Sequence, residues 1–451
     1  MLNVIYEDNH LLVCEKPANM PVQADSSGDR DLLTEAKDYI KRKYEKPGEV
    51  FLGLVHRLDR PVGGVMVFAR TSKAAARLTD AVKARRVKKK YAAIVTKSLP
   101  TYGNLISYII KDESTHSALL VPEGTPGAQR ASLSYAAVCK KAGKTLIDID
   151  LHTGRHHQIR AQFAGIGCPL YGDQRYNPEA IPGQQIALYA YSLTFEHPTL
   201  KESMTFTCTP RGESWTGFSD ELTALSCGVR CCYTDPDVIA VNKEPGVACA
   251  IRDGGEDTLE ARLLSAFGEI YPVHRLDAPT TGLVLFARNE KTEEALSGLI
   301  RDRKLKKYYH TRIFGVPPKK EDVLRLYAEK DAERSEVKVF DRPTPASREM
   351  ITAYRLLETE RGTGERPTTS LLEIELMTGR THQIRASLAH IGCPVVGDDK
   401  YGDRQKNKAF PTGLQLCAVR VEFPDDPSVP PRLKGKKLSV DAPFEEKPFR
   451  V

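Results

Sequence analysis

The chain has 451 residues, 41% hydrophobic and 28% charged, and 66 Lys and Arg against 59 Asp and Glu give a formal charge of +7. This balance excludes a mainly disordered chain, and no run reaches the ~18 apolar residues of a membrane helix. The mild basic excess fits a polyanionic partner. Met1 to Asp8 lack the basic start and apolar run of an export signal, so a cytoplasmic protein with reduced thiols at its ten cysteines is expected.

In chain order, Gly64 to Ala69 is a short apolar, β-branched run and predicts a strand. Ser72 to Arg85 carries Ala76, Leu78 and Val82 at helical spacing. Lys89 to Val95 predicts another strand. Gln158 to Gly165 predicts a short helix, with Gly167 as its stop signal. The same order then returns: strand at Gly282 to Ala287, helix at Glu290 to Arg301, strand at Lys307 to Phe314, and helix at Gln383 to His390 before Gly392. Strands in runs with few helices between them predict an α+β fold with a mixed, mainly antiparallel sheet in each half.

The return is a repeat of sequence as well as of pattern. His56 to Arg70 and His274 to Arg288 are identical at nine of fifteen positions, and Thr153 to Tyr176 matches Thr378 to Tyr401 at sixteen of twenty-four. The offset between copies is 227 at Tyr6/Tyr233, 218 at His56/His274 and 225 at Thr153/Thr378, a drift of loop size only. Part of it sits in Arg361 to Pro367, a polar Gly/Pro insertion expected as a surface loop. Two domains are therefore expected, residues 1–225 and 226–451, each large enough for its own core. The junction, Ser214 to Val229, is too short for a free linker and too polar to predict as packed.

No phosphate-cradling G-x-x-x-x-G-K-[ST] or G-x-G-x-x-G is present, nor the H-x-E with P-C-x-x-C of a zinc deaminase. Cys227, Cys231 and Cys232 cluster without a C-x-x-C pair or a near histidine, so no metal site is expected. Both copies keep a small polar set instead. Asp59 and Asp277 end a His-Arg-Leu-Asp tetrad just before a strand, where a carboxylate can project into a cleft. For one aspartate a turn cap or ion pair would be the plainer reading; recurrence in two diverged copies lowers its weight. Thr-Gly-Arg-x-His-Gln-Ile-Arg supplies Arg155, His157 and Arg160, then Arg380, His382 and Arg385. An arginine beside a buried aspartate keeps it ionised and oriented. Lys88-Lys89-Lys90-Tyr91 and Lys306-Lys307-Tyr308-Tyr309 open strands with cations and rings, which suits phosphates and stacked bases, although a solvated charged face is the commoner use of such a run.

Taken together, H-R-L-D, K-x-Y, T-G-R-x-H-Q-I-R and G-x-P-x-x-G-D-x-x-Y, in this order and twice over, resemble the RluA-type RNA pseudouridine synthase family. The resemblance implies two tandem catalytic domains, each with a central cleft, that isomerise uridine in ribosomal or transfer RNA. It places the invariant carboxylate at Asp59 and Asp277, the active-site tyrosine at Tyr91 and Tyr309, and the carboxylate-pairing arginine at Arg160 and Arg385. Arg57 and Arg275 would lie beside the emptied base stack. Arg155, Arg380, His157, His382, Lys89, Lys90, Lys306 and Lys307 are the remaining expected RNA contacts. No metal or organic cofactor is implied, and two fused domains in a monomer are expected, without a separate RNA-binding domain at the start. Copy two has Lys243-Glu244-Pro245 where copy one has Lys16-Pro17, and Thr280-Thr281 for Val62-Gly63. Such departures leave three readings: two working sites, one working site with an RNA-gripping helper, or an RNA-binding or RNA-folding protein.

Overall fold

Strand periodicity decides how each half is layered, because alternate side chains leave a strand on opposite faces. The computed structural model describes residues 2–251, 255–331, 336–363, 366–410 and 412–445. Gly364 and Glu365 of the expected insertion lie outside them. Within this span the chain divides into two compact units that meet in sequence at Cys227 and Gly228.

The first unit contains β1 (Asn3–Glu7), β2 (Leu11–Lys16), α1 (Leu32–Lys43), β3 (Gly53–Leu54), β4 (Gly63–Ala69), α2 (Ser72–Lys83) and β5 (Lys88–Val95). It continues with β6 (Tyr102–Asp112), β7 (Ser117–Val121), β8 (Gln129–Lys141), β9 (Lys144–Leu151), α3 (Gln158–Gly165), β10 (Leu188–Glu196), β11 (Ser203–Thr207) and α4 (Ser219–Ser226). The strands form one sheet in the order β1-β2-β4-β10-β5-β9-β8-β6-β7, with β11 on β10 and β3 on β4. Only β4 and β10 run parallel among its described pairs.

The second unit repeats this. It holds β12 (Cys231–Thr234), β13 (Val238–Lys243), α5 (Leu259–Phe267), β14 (Tyr271–Pro272), β15 (Thr281–Ala287), α6 (Glu290–Arg301) and β16 (Lys306–Phe314). Then come β17 (Glu321–Asp331), β18 (Glu336–Phe340), β19 (Arg348–Glu360), β20 (Thr369–Leu376), α7 (Gln383–His390), α8 (Arg404–Asn407), β21 (Leu416–Glu422) and β22 (Lys437–Ser439). Its sheet runs β12-β13-β15-β21-β16-β20-β19-β17-β18, and β15 and β21 are its parallel pair. The α+β class, the mixed sheet and the elements expected from the sequence are all present.

The alternation shows in the core. Tyr91, Ala93 and Val95 pack with α1 residues Leu32, Ala36 and Ile40 and with Ile159 and Phe163 of α3. Ala92 and Ile94, one step along, pack on the other face with Trp215, Phe218, Leu222 and Leu225. The junction is thus tied down, contrary to its polar look: four large apolar side chains among the polar ones bury it against the first unit's sheet. No helix among the described residues is long and apolar enough to cross a membrane.

The extra residue after Lys243 does not disturb the sheet. Lys16 faces Gly64 across β2 and β4, and Lys243 faces Gly282 across β13 and β15, in the same register. Glu244 is absorbed in the following turn, where Gly246 N–H donates to Ala278 O at 2.8 Å.

Candidate active site

Each cleft begins with the turn that carries the aspartate. Asp59 O accepts from Val62 N–H at 3.0 Å, and Asp277 O accepts from Thr280 N–H at 3.0 Å. A buried lysine holds the turn from beneath. Lys16 Nζ donates to the carbonyls of Arg60, Pro17 and Met20 at 2.9, 2.9 and 2.6 Å. Lys243 Nζ does the same to Ala278 and Glu244 at 2.7 and 2.9 Å. Burial pushes these ammonium groups down, to about 7 for Lys16 and about 8 for Lys243.

The second strand–turn–helix supplies the arginine. Gln158 Oε1 accepts from Thr153 Oγ1 at 2.7 Å and from Arg155 N–H at 3.1 Å, which folds the Thr-Gly-Arg turn onto the start of α3. Gln383 does this for Thr378 and Arg380 at 2.8 and 3.0 Å. His157 and His382 sit at that corner in left-handed conformation, with φ of 47° and 52°. Arg160 grips Asp173 with two bonds, Nε at 2.9 Å and Nη2 at 2.7 Å. Its third nitrogen, Nη1, reaches Asp59 Oδ2 at 3.6 Å. In copy two Arg385 holds Asp398 at 2.7 and 2.8 Å and reaches Asp277 Oδ2 at 3.5 Å. The arginine is therefore a rigid arm: one edge is fixed to a fully buried carboxylate, and the other meets the turn aspartate.

A histidine approaches the same carboxylate. His157 Nε2 lies 3.7 Å from Asp59 Oδ2, and His382 Nε2 lies 3.8 Å from Asp277 Oδ2. Their Nδ1 atoms pair with Tyr176 Oη at 3.0 Å and Tyr401 Oη at 2.8 Å. Each phenol also accepts a backbone N–H, from Ala118 at 2.6 Å and from Val337 at 2.9 Å. The tautomer that leaves no group idle has the phenol donating to Nδ1 and Nε2–H pointing at the aspartate. Burial, then the Arg160 charge, lowers His157 to about 3, and burial first lowers His382 as well. Both are uncharged near neutral pH, so they meet a ligand as neutral rings rather than as cations. Desolvation raises the Asp59 carboxyl above the ordinary range, against the pull of Arg160.

Tyr91 and Tyr309 are buried, 7% and 5% exposed, on the cleft face of β5 and β16. Burial, and after it the negative turn aspartate, pushes both phenols up, so each meets a ligand protonated. Strand parity puts Lys89 and Lys307 on that same face. It puts Lys90 and Lys306 on the other, and Lys90 Nζ lies 3.5 Å from the buried Asp148. These two expected RNA contacts are thus not brought to the cleft. Arg57 and Arg275 are exposed beside the turn. Arg155 and Arg380 lean on backbone carbonyls of Arg130 and Glu349 at 3.2 and 3.4 Å. The second unit's cleft has a volume of about 470 Å³, and Asp277, Lys307, Tyr309, Arg380, His382 and Arg385 are among its lining, within the usual size of a small-ligand pocket. Sequence reasoning gave no role to Asp173, Asp398, Tyr176, Tyr401, Lys16 or Lys243. Their signal was the identity of each pair within motifs already quoted.

Among the described residues, the one trio close enough to share a cation is Asp59, His156 and His157, whose ligating atoms lie within 4.8 Å of one another. The two histidine rings stack at 3.8 Å. Copy two has Thr381 in place of His156.

The family described as RNA pseudouridylate synthase matches this chain twice, at residues 10–165 and 237–390. The chain belongs to the RNA pseudouridylate synthase family. Both matches span the turn aspartate, the strand tyrosine and the arginine arm, as the RluA-type motifs lead one to expect. A ribosomal large subunit pseudouridine synthase D of Vibrio cholerae is 33% identical over 220 residues, 46% of this chain and 66% of that protein. A tRNA pseudouridine synthase C of Vibrio parahaemolyticus is 32% identical over 192 residues, 40% of this chain and 75% of that protein. An uncharacterized RNA pseudouridine synthase of Aquifex aeolicus is 33% identical over 220 residues, 46% of this chain and 68% of its own length. The chain thus spans about two thirds of such relatives, and each alignment takes up less than half of this pseudouridylate synthase family member. Among solved structures, human RNA pseudouridylate synthase domain containing 1 aligns at 22% identity and TM-score 0.40, over 48% of this chain and 84% of that one.

Proposed function

We propose that each unit, residues 1–225 and 226–451, is a pseudouridine synthase domain with its own catalytic centre. The substrates are specific uridines in structured ribosomal or transfer RNA, the classes named by the Vibrio relatives. One observation carries this reading: in both copies the turn aspartate meets an arginine whose other edge is locked to a buried carboxylate, at 3.6 and 3.5 Å. That arrangement is costly to keep unless the aspartate works.

In the reaction the C1′–N1 bond breaks, the uracil turns, and C5 joins C1′; N1 gains a proton and C5 loses one. Asp59 and Asp277 act on the flipped nucleotide as carboxylates held by Arg160 and Arg385. Tyr91 and Tyr309 pack on the uracil. Arg57 and Arg275 fill the vacated stack, and Arg155, Arg380, Lys89 and Lys307 hold phosphates. His157 and His382 orient the aspartate. No step needs a redox partner or a group donor. A cytoplasmic monomer acting on RNA completes the proposal.

RNA labelled with tritium at uracil C5 tests it, since isomerisation releases that tritium. Asp59→Ala and Asp277→Ala are each expected to lose a separable part of the release from total cellular RNA, and the double variant all of it. One silent single variant would leave one catalyst and one helper; no release by wild type with retained RNA binding would leave a binding protein.

The pH profile carries a second expectation. In the Asp277→Ala background the acid limb of release should lie above the ordinary carboxylate value of about 3.9, because desolvation raises Asp59. No histidine inflection near the ordinary ~6.5 should come from His157, since it is held at about 3. A limb at the unperturbed carboxylate position would show that Asp59 is well hydrated.

A further inference from the structure

One histidine in each copy has hydrogen-bonding capacity that the chain itself leaves unused. His56 is 8% exposed, and its Nε2 accepts from Val67 N–H at 3.2 Å. A backbone N–H can only donate, so Nε2 is bare and Nδ1 carries the proton of the neutral ring. That Nδ1–H is buried with no hydrogen-bond partner. His274 repeats the geometry: Nε2 accepts from Leu285 N–H at 3.2 Å, and the ring lines the second cleft. At His56 such a buried donor without an acceptor costs about 1–3 kcal/mol, and the Nε2 bond that fixes the ring is kept in both copies.

Beside each ring stands a half-buried lysine, Lys89 or Lys307. Each is the charge that its histidine feels, and burial lowers each ammonium, with no carboxylate among the described residues offsetting it. Lys307 Nζ lies against Gly379 of the Thr-Gly-Arg turn, 3.7 Å from where a Cβ would stand, so the absence of a side chain there leaves the ammonium facing the cleft. With Nε2 already taken by the backbone, each ring has only a donor left, as the lysine does, and the lysine is cationic. A uracil edge alternates donor and acceptor, whereas a phosphate offers acceptors alone and a negative charge.

We propose that His274 with Lys307, and His56 with Lys89, form a subsite for an RNA backbone phosphate at the flipped nucleotide. The subsite is distinct from the aspartate–arginine pair and fixes the depth to which the sugar enters. It rests on the uridine-isomerising reading for the identity of the ligand, and not for its charge.

The test uses the full chain with Asp59→Asn and Asp277→Asn, so that binding is read without turnover. Uridine, uridine 5′-monophosphate, uridine 3′-monophosphate and inorganic phosphate are titrated calorimetrically at low salt. At least one monophosphate should bind about tenfold tighter than uridine, the worth of one charge-assisted hydrogen bond, and inorganic phosphate should compete with it. Adding Lys89→Met and Lys307→Met should bring both monophosphates down to the affinity of uridine and leave uridine unchanged. His56→Phe with His274→Phe should do the same; thermal unfolding shows whether that pair folds, and the lysine variants decide if it does not. Monophosphates no tighter than uridine, or an advantage that survives the lysine variants, would overturn the subsite while leaving the uridine reading intact. Phosphate binding that depends on these residues, with no affinity for uridine, would keep the subsite and sink the uridine reading.

Discussion

Asp173→Ala is expected to destabilise the first unit by about 3–5 kcal/mol and to silence its cleft, and Asp398→Ala to do the same to the second. Both carboxylates are buried, 0% and 1% exposed, and each takes a two-pronged grip from an arginine that is itself 5% or 6% exposed. Removing one partner of such a pair leaves an uncompensated buried charge, which is the costly case. Asp173 also accepts the N–H of Arg175 and Tyr176 at 3.0 and 3.3 Å, so its loss loosens the loop that presents Tyr176 to His157. Among the described residues, the released guanidinium keeps one carboxylate within 4 Å, Asp59. A unit of this size should melt roughly 6–20 °C lower. Calorimetry on the full chain, with one transition moving and the other still, checks this. A shift under about 2 °C would mean that water reaches Arg160 and screens it.

Gly64→Ala and Gly282→Ala should be worse, costing more than about 4 kcal/mol and leaving little folded protein. Their φ values are +135° and +103°. An added Cβ would overlap the carbonyl oxygen of Ala190 in β10 or of Ala418 in β21. These are the parallel partners that close each sheet behind the turn aspartate. Two costs are combined here, and Gly28→Ala separates them. Gly28 has φ +74° but open space around its missing side chain, so only the backbone cost of about 1–2 kcal/mol is expected. Equal losses at Gly28 and Gly64 would show that the sheet moves aside for a methyl group.

Most of the cleft was legible because the chain carries its own comparison. His-Arg-Leu-Asp or Thr-Gly-Arg alone is a short string; the same string in two diverged copies marks positions that packing alone does not require. What stayed hidden depended on three-dimensional parity and on distance. Tyr91 points inward, and that alone decides between Lys89 and Lys90, since neighbours on a strand face opposite ways. The partner of Arg160 lies thirteen residues on, across a turn, and no periodicity links them. Lys16 reads as a surface residue until three carbonyls are found around its ammonium. The junction hid its anchoring because Trp215, Phe218, Leu222 and Leu225 are scattered among polar neighbours.

The sheet order has a consequence for synthesis. β10 lies between β4 and β5, although both precede it by about a hundred residues. Until it emerges from the ribosome, the edges of β4 and β5 lie open and neither half of the cleft is braced. β21 is a rival for the same slot, because its own neighbours β15 and β16 hold the places of β4 and β5 in the repeated strand order. Translation from the N-terminus lets β10 dock before β21 exists. A chain refolded from denaturant has no such order, and strand exchange between its copies is the error to look for.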